Sequence, residues 1–297
     1  MRRFFALSRT THGILDIAMP GFVALLLLGA FPRWQILLLS LFTAFAAYTA
    51  IYTLNDLMGF VDDREKFVGG INAGYSVEAS ELRYPLAQNV IGYREGLLWF
   101  AGWFGLALIG SYLLNPAIVL ILVAAAILEV VYCLLHKITY LRTLVSGLVK
   151  SSGPIAALFV VNPDQALNVL PVVLAWVFFW EIGGQNIPAD WNDTVEDKRV
   201  NAKTIPLQLG TQKAGAIVLL SLGLTVIISL MLPLVSSLSL GWTYLLASAI
   251  AGFFLLLRPG YRLYQRQEGR LAAELFNRAS YYPLTQLVII AAFVIFK

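Results

Sequence analysis

Long apolar stretches separated by short polar ones set the pattern of this chain. A helix that crosses a bilayer needs about 20 predominantly apolar residues. Stretches that meet this requirement lie at about 13–31, 34–54, 96–113, 115–136, 143–162, 167–187, 212–234, 239–257 and 281–296. The pattern predicts an all-α fold of about nine transmembrane helices. Neighbouring spans meet at Asn115-Pro116 and at Asn162-Pro163-Asp164, which read as the turns of helical hairpins. Only 13% of residues are charged and 59% are hydrophobic, against about 25% charged in soluble proteins. The chain is expected to be a polytopic integral membrane protein.

Basic residues alternate between the connections. Arg2, Arg3 and Arg9 precede the first span; Arg64, Lys66, Arg83 and Arg94 join the second to the third; Lys137 and Arg142 join the fourth to the fifth. Lys198, Arg199, Lys203 and Lys213 follow the sixth, and five arginines between Arg258 and Arg278 follow the eighth. The remaining connections hold only Arg33. The positive-inside rule then sets the N-terminus and all the basic connections in the cytoplasm and the C-terminus outside. A cell inner membrane is the expected location. The first apolar run is long enough to span, so no cleavable signal peptide is expected.

Against this background two acidic segments stand out, Asn55-Asp-Leu-Met-Gly-Phe-Val-Asp-Asp63 and Ala189-Asp-Trp-Asn-Asp-Thr-Val-Glu-Asp197. They close the second and sixth spans on the same face of the membrane, so the repeat unit reads as four helices: pseudo-repeats at about 13–136 and 143–257, plus a ninth helix, within one domain over 1–297. Asp190, Asp193 and Asp197 recur at a spacing that puts them on one helical face; the first copy has Asp56, Gly59 and Asp63 there. Aspartate costs roughly 2.5–3.5 kcal/mol at the centre of a spanning helix, so a chain that gathers carboxylates at two span ends is expected to use them. Five carboxylates on facing helix ends repel one another unless a cation joins them. One cysteine, Cys133, and two histidines, His12 and His136, leave oxygen as the donor, which favours Mg²⁺ or Ca²⁺. Mg²⁺ bridges carboxylates to substrate phosphate, and Arg64, Lys66, Lys198, Arg199 and Lys203 follow the two motifs closely enough to grip phosphate oxygens.

With nine spans, Asn-Asp-x-x-Gly-x-x-x-Asp after the second and Asp-x-x-Asp-x-x-x-Asp after the sixth, the chain resembles the UbiA superfamily of intramembrane prenyltransferases. Smaller elements agree: Arg83-Tyr-Pro-Leu86, Tyr132-Cys-Leu-Leu-His-Lys137, and Thr204-Ile-Pro ahead of Leu209-Gly210. The resemblance implies a Mg²⁺-dependent enzyme that moves an isoprenyl group from an isoprenyl diphosphate to a hydrophobic or aromatic acceptor. It implies Asp56, Asp63, Asp190, Asp193 and Asp197 as catalytic and, with Asn55, as metal ligands. It implies Asn55, Arg64, Lys66, Arg83, Tyr132, Lys137, Lys198 and Lys203 as substrate contacts, with the isoprenyl tail in an apolar tunnel open to membrane lipid. Nucleic acid is not an expected partner. An aromatic or quinone-precursor acceptor leads; a glycerol-type lipid, a carotenoid and a sugar phosphate stay open.

The chain departs from the family pattern at Gly59 and Ala189, and by extra residues around Gly69–Gly74, which read equally as a lid or as a plain surface insertion. Asp62 is not expected to replace the ligand missing at 59, because helical geometry turns it away from the Asp56/Asp63 face. Asp16, Glu129, Glu181 and Lys150 are ionisable residues within spans and so candidates for function. Arg258, Arg262, Arg266 and Arg270 read as one basic stripe suited to anionic headgroups. The rivals are a CDP-alcohol phosphotransferase, whose Asp-Gly-x-x-Ala-Arg run is absent from the sequence, and a transporter, which would carry its polar residues nearer mid-membrane.

Overall fold

A computed structural model describes residues 1–68, 84–164 and 166–296. Arg83 and the Gly69–Gly74 insertion lie outside the described residues. Within them, nine helices are long and apolar enough to cross a membrane: α1 (Thr10–Leu28), α2 (Trp34–Lys66), α3 (Tyr93–Leu114), α4 (Pro116–Lys137), α5 (Arg142–Val161), α6 (Leu167–Asn192), α7 (Thr211–Val235), α8 (Trp242–Arg266) and α9 (Gly269–Ile295). No strand occurs among the described residues.

Local sequence explains the boundaries. Gly29, at φ +61°, closes α1 in a left-handed conformation that side chains rarely adopt. The Asn115 side chain accepts a hydrogen bond from Ala117 N at 2.9 Å and Pro116 takes the first helical position, so α3 ends and α4 begins without a loop. Gly92 N donates to Glu95 Oε2 at 2.9 Å and opens α3.

Three boundaries differ from the sequence expectation. The second helix does not stop near 54: it runs unbroken to Val68 and carries its whole acidic segment as helix. The eighth runs on to Arg266, where Gln267 at φ +56° ends it, and the ninth starts at Gly269. Arg258, Arg262 and Arg266 therefore share one helix and Arg270 begins another, which divides the expected stripe. Glu274 holds this junction, 2.9 Å from Arg262 and 3.1 Å from Arg278.

The helices form a ring. α1 packs on α5 and α9; α2 packs on α3 and α4; from α4 to α9 each helix packs on the next; the first turns of α1 close the circle against α2. The larger core belongs to α1 and α5–α9, around Phe22, Trp176, Trp180, Tyr244 and Tyr282. Apolar side chains such as Leu98, Leu120, Leu220 and Phe296 face outward. Lipid is as apolar as leucine, so burial alone holds such helices together weakly, and close approach and polar contacts carry the association. Between α2 and α3 a Cβ at Gly110 would stand 2.1 Å from Thr43 Oγ1, so only glycine lets these helices meet this closely. Between α7, α8 and α9 a buried chain runs from Ser229 through Ser248 (3.2 Å) to Gln286 (2.9 Å).

Candidate active site

Inside the ring, a cavity of about 620 Å³ lies chiefly between α1, α2, α4, α5, α6 and α9, a size typical of small-molecule sites. One end is polar and lined by both acidic segments. The other is apolar, with Ile36, Leu37, Leu41, Ile118, Leu122 and Leu287 in its wall.

On α2 the helical period brings Tyr48, Tyr52, Asn55, Asp56, Gly59, Asp63 and Lys66 to the cavity. Asp62 lines it too, at the rim, bonded to His136 Nδ1 at 3.1 Å and Lys137 Nζ at 2.7 Å. The helix stays regular here, and Asp62, at the edge of the face, is taken up by these two basic partners.

α6 is less regular. It runs as α-helix to Trp180, widens to a π-helical segment over Glu181–Asn186, resumes over Ile187–Asn192, and breaks at Asp193 before a short helix over Thr194–Arg199. π-Segments insert a residue and re-aim the side chains beyond it, and they recur at functional sites. Asp190, Asp193 and Asp197 all line the cavity despite the break; backbone bonds Asp193 N to Ala189 O (3.1 Å) and Asp197 N to Asp193 O (2.9 Å) keep the chain close to helical there.

The buried carboxylates are held by cations. Arg9 donates to Asp56 Oδ1 at 2.9 Å and to Asn55 Oδ1 at 3.0 Å. Arg142 lies 2.6 Å from Asp190 Oδ1, and its guanidinium stands 4.6 Å over the Tyr132 ring. Lys66 Nζ is 2.8 Å from Asp197 Oδ1, with His136 Nε2 at 3.7 Å. Burial pushes the Asp197 carboxyl up, but the neighbouring His136 ring and the Lys66 ammonium outweigh it and hold the group down to about 2. Asn55 Nδ2 donates to Glu129 Oε1 at 2.5 Å, and Asn186 Nδ2 donates to the Tyr132 hydroxyl at 2.9 Å.

Of the residues expected from sequence, Asn55, Asp56, Asp63, Lys66, Tyr132, Asp190, Asp193 and Asp197 come together in this wall. Four described basic residues do not line it. Arg64 is exposed, 5.6 Å over the Phe60 ring. Lys137 pairs with Asp62 and Glu65 outside the rim. Lys198 is exposed, and Lys203 donates its backbone N–H to His136 O at 2.7 Å. Sequence reasoning missed Arg9, Arg142, His136 and Asn186 as parts of the site. Asn186 carried a usable signal, since it stands one helical turn before Asp190 in an otherwise apolar span.

Among the described residues no three acid, histidine or cysteine groups already stand as an ion cage. The donor set nevertheless fits a hard cation. It is all oxygen, and Asp190 Oδ2 is buried without a hydrogen-bond partner among the described residues. Mg²⁺ takes few protein ligands and completes its shell with water and phosphate oxygens, so it needs no closed cage.

The model of the UbiA prenyltransferase family matches residues 17–282. The chain belongs to this family. It is a prenyltransferase of the membrane, and its all-helical ring is the family's fold. A digeranylgeranylglyceryl phosphate synthase of Methanococcoides burtonii is 24% identical over 226 residues, 74% of this chain and 78% of that one. A UbiA homologue from Aeropyrum pernix superposes with a TM-score of 0.75 at 18% identity, over 97% of this chain and 98% of that one. A homologue from Archaeoglobus fulgidus bound to GPP and Mg²⁺ gives 0.68 at 17% identity, over 97% and 99%.

Proposed function

We propose that the chain transfers an isoprenyl group from an isoprenyl diphosphate to a hydrophobic acceptor within this cavity, with Mg²⁺. One observation carries the reading: aspartates from two separate helix ends line the polar end of a cavity whose other end is apolar. That division matches a donor with a charged head and a hydrocarbon tail. Arg9, Lys66 and Arg142 neutralise Asp56, Asp197 and Asp190, and they stand where they can turn to diphosphate oxygens when the donor enters. Asn55, Asp56, Asp63, Asp190, Asp193 and Asp197 supply the oxygens that would hold Mg²⁺. Bound there, Mg²⁺ would supply positive charge to offset the charge that develops on the departing diphosphate. The Tyr132 hydroxyl, bonded to Asn186 and backed by the Arg142 guanidinium, would donate to a diphosphate oxygen.

The leading acceptor is an aromatic or quinone precursor, since the cavity borders on tyrosines and an electron-rich ring captures an allylic cation readily. The match to a digeranylgeranylglyceryl phosphate synthase favours a second reading, a glycerol-type lipid. The basic connections favour a cell inner membrane with the carboxylate end cytoplasmic.

Purified protein incubated with geranyl, farnesyl and geranylgeranyl diphosphate, Mg²⁺ and a membrane extract should yield a prenylated product and diphosphate, read by mass spectrometry. Excess EDTA should abolish both. Product formation that persists in EDTA removes the metal from the reading; no product from any donor removes the transfer.

A further inference from the structure

A second polar cluster lies deeper in the cavity, away from the aspartate motifs. Lys150 Nζ on α5 stands 2.7 Å from both Asp16 Oδ2 and the Tyr52 hydroxyl, and 3.9 Å from Glu181 Oε2. Tyr52 donates to Asp16. Ser146 Oγ donates to Glu181 Oε1 at 2.6 Å, and His12 Nε2 lies 3.8 Å from Asp16 Oδ1. Tyr52, Ser146, Lys150 and Glu181 line the cavity, and Asp16 is buried at 3% exposure behind them.

Position along the helices relates this cluster to the reaction. Tyr52 is one turn from Asp56 on α2. Lys150 lies about 12 Å along α5 from Arg142 at 1.5 Å per residue, and helical side chains lean toward the N-terminus, here toward Arg142. The cluster therefore faces the space just inside the diphosphate end. C1 of a bound donor must lie there, because it is bonded directly to diphosphate. An acceptor has to approach C1 from the interior, since the diphosphate leaves on the other side. A tunnel that held only an isoprenyl tail would have no use for an ammonium and two carboxylates, each expensive within a span.

We propose that Tyr52, Lys150 and Glu181 bind a neutral hydroxyl group of the acceptor, and that Asp16 is the positioning residue that fixes Lys150 and Tyr52. This deepens the transferase reading above and rests on it. Charge selects the class. Asp16 and Glu181 bring two carboxylates to the one ammonium of Lys150, and Arg9, 5.9 Å from the centre of the Tyr52 ring, is committed to Asp56. With no surplus positive charge, a hydroxyl that donates to Glu181 and accepts from Lys150 or Tyr52 fits better than a carboxylate or phosphate. Phenols and glycerol lipids both offer one. As the donor's C1–O bond breaks, its electron pair leaves on diphosphate. The new bond to C1 forms from a glycerol oxygen or from a ring carbon activated by its phenol. The one proton the acceptor loses passes to the Glu181 carboxylate.

The experiment uses the full chain in nanodiscs with Mg²⁺, a tritiated donor and a membrane extract. The double variant Asp16→Asn/Lys150→Met removes both members of the closest buried pair together and leaves Glu181, 3.9 Å from Lys150, to the single variant below. Donor binding should stay within about twofold of wild type. Product formation should fall about 10- to 100-fold, the loss expected for a hydrogen bond to a charged group, with a higher KM for extract. Glu181→Gln should lower kcat with donor binding unchanged. Extract acetylated to cap its hydroxyls should give wild-type enzyme no product, whereas extract with methylated carboxyls should serve. Mass spectrometry of the product separates a prenylated phenol from a glycerol ether. Wild-type product from the double variant, equal loss of donor binding and product, or full activity on acetylated extract each overturns the proposal. A wild-type enzyme that makes no product from untreated extract overturns instead the transferase reading.

Discussion

The two aspartate-bearing helix ends reach one cavity by different backbones. On α2 the acidic segment is regular helix from Asn55 to Asp63 and beyond, so the 3.6-residue period alone gathers its side chains. On α6 a π-helical segment precedes the motif and a break follows Asn192, so tertiary packing decides where the carboxylates point. Their partners differ too. Asp56 is held from outside the bundle of spans, by Arg9 just before α1, and Asp190 by Arg142 at the start of α5. Asp197 is held by Lys66, the last residue of α2 in the cavity wall. The second end therefore ties itself to the first through Lys66, and damage at Asp197 should reach both.

The largest effect is expected there. Asp197→Asn removes the charge that anchors Lys66 and one oxygen donor of the site, and turnover should fall by about 10²–10³-fold, as for loss of one preorganised electrostatic group. Stability supplies a separate check. The folded value of Asp197, about 2, lies below the unfolded value of about 3.9. Its contribution is therefore fully present above about pH 4 and is lost as pH falls toward 2, amounting to about 2–3 kcal/mol at neutral pH. Thermal unfolding should place Asp197→Asn below wild type from pH 5 to 8, with the gap closing between about pH 4 and 2. A gap of constant size through that window would mean that the variant acts by another route.

How much of this could be read from the sequence follows the same divide. The period of hydrophobic positions locates the spans, and on the regular α2 the spacing puts Asp56 and Asp63 on the inward face, because both are local patterns; Asp190, Asp193 and Asp197 also reach the cavity, but across a π-segment and a break that their spacing does not show. Arg9 and Arg142 were legible only as topology charges. Their pairing with Asp56 and Asp190 joins residues far apart in the chain, and no local period encodes it. Lys137 and Lys198, by contrast, sit beside the motifs in sequence yet outside the cavity wall, because a helix turns neighbours in sequence to different faces. The π-segment was hidden for a related reason. Nothing in the apolar pattern marks Gly183 and Gly184, and the structure uses them for close contact. A Cβ at Gly183 would stand 2.8 Å from Ser221 Cβ and 3.0 Å from Val218 O, and one at Gly184 3.0 Å from Ala279 Cβ.

Gly183→Ala tests whether that contact sets the second motif, and its effect should rank next. The obstacle at 3.0 Å is backbone of α7, which a rotamer change cannot relieve. A cost of about 1–3 kcal/mol is expected, as for overpacking in a filled interior. If α6 moves to relieve it, Asp190 shifts from Arg142 and donor KM rises along with the loss of stability. A lower Tm with unchanged donor KM would show that the π-segment serves packing alone and that the motif beyond it is held by its own ion pairs.

Gly59 offers the gentlest comparison, because it is the position where the first motif lacks the carboxylate that Asp193 gives the second. A Cβ there meets only Asp63: its Oδ2 at 3.2 Å and the rest of the same carboxylate farther away. That contact is the tip of a side chain that can swing by a few tenths of an ångström, so no backbone obstacle explains the glycine. Gly59→Ala should keep activity within about twofold while stabilising the helix by up to about 0.5–1 kcal/mol, the usual penalty of glycine within a helix. Gly59→Asp adds a like charge one turn from both Asp56 and Asp63, which destabilises by about 0.2–0.5 kcal/mol per pair until a cation joins the group. Tm without metal should therefore fall slightly, the rise in Tm on adding Mg²⁺ should exceed that of wild type, and the half-saturating Mg²⁺ for turnover should drop. Loss of turnover at saturating Mg²⁺ in Gly59→Asp, with Gly59→Ala active, would assign the space above Gly59 to substrate instead. The first motif would then differ from the second by making room where the second supplies a ligand.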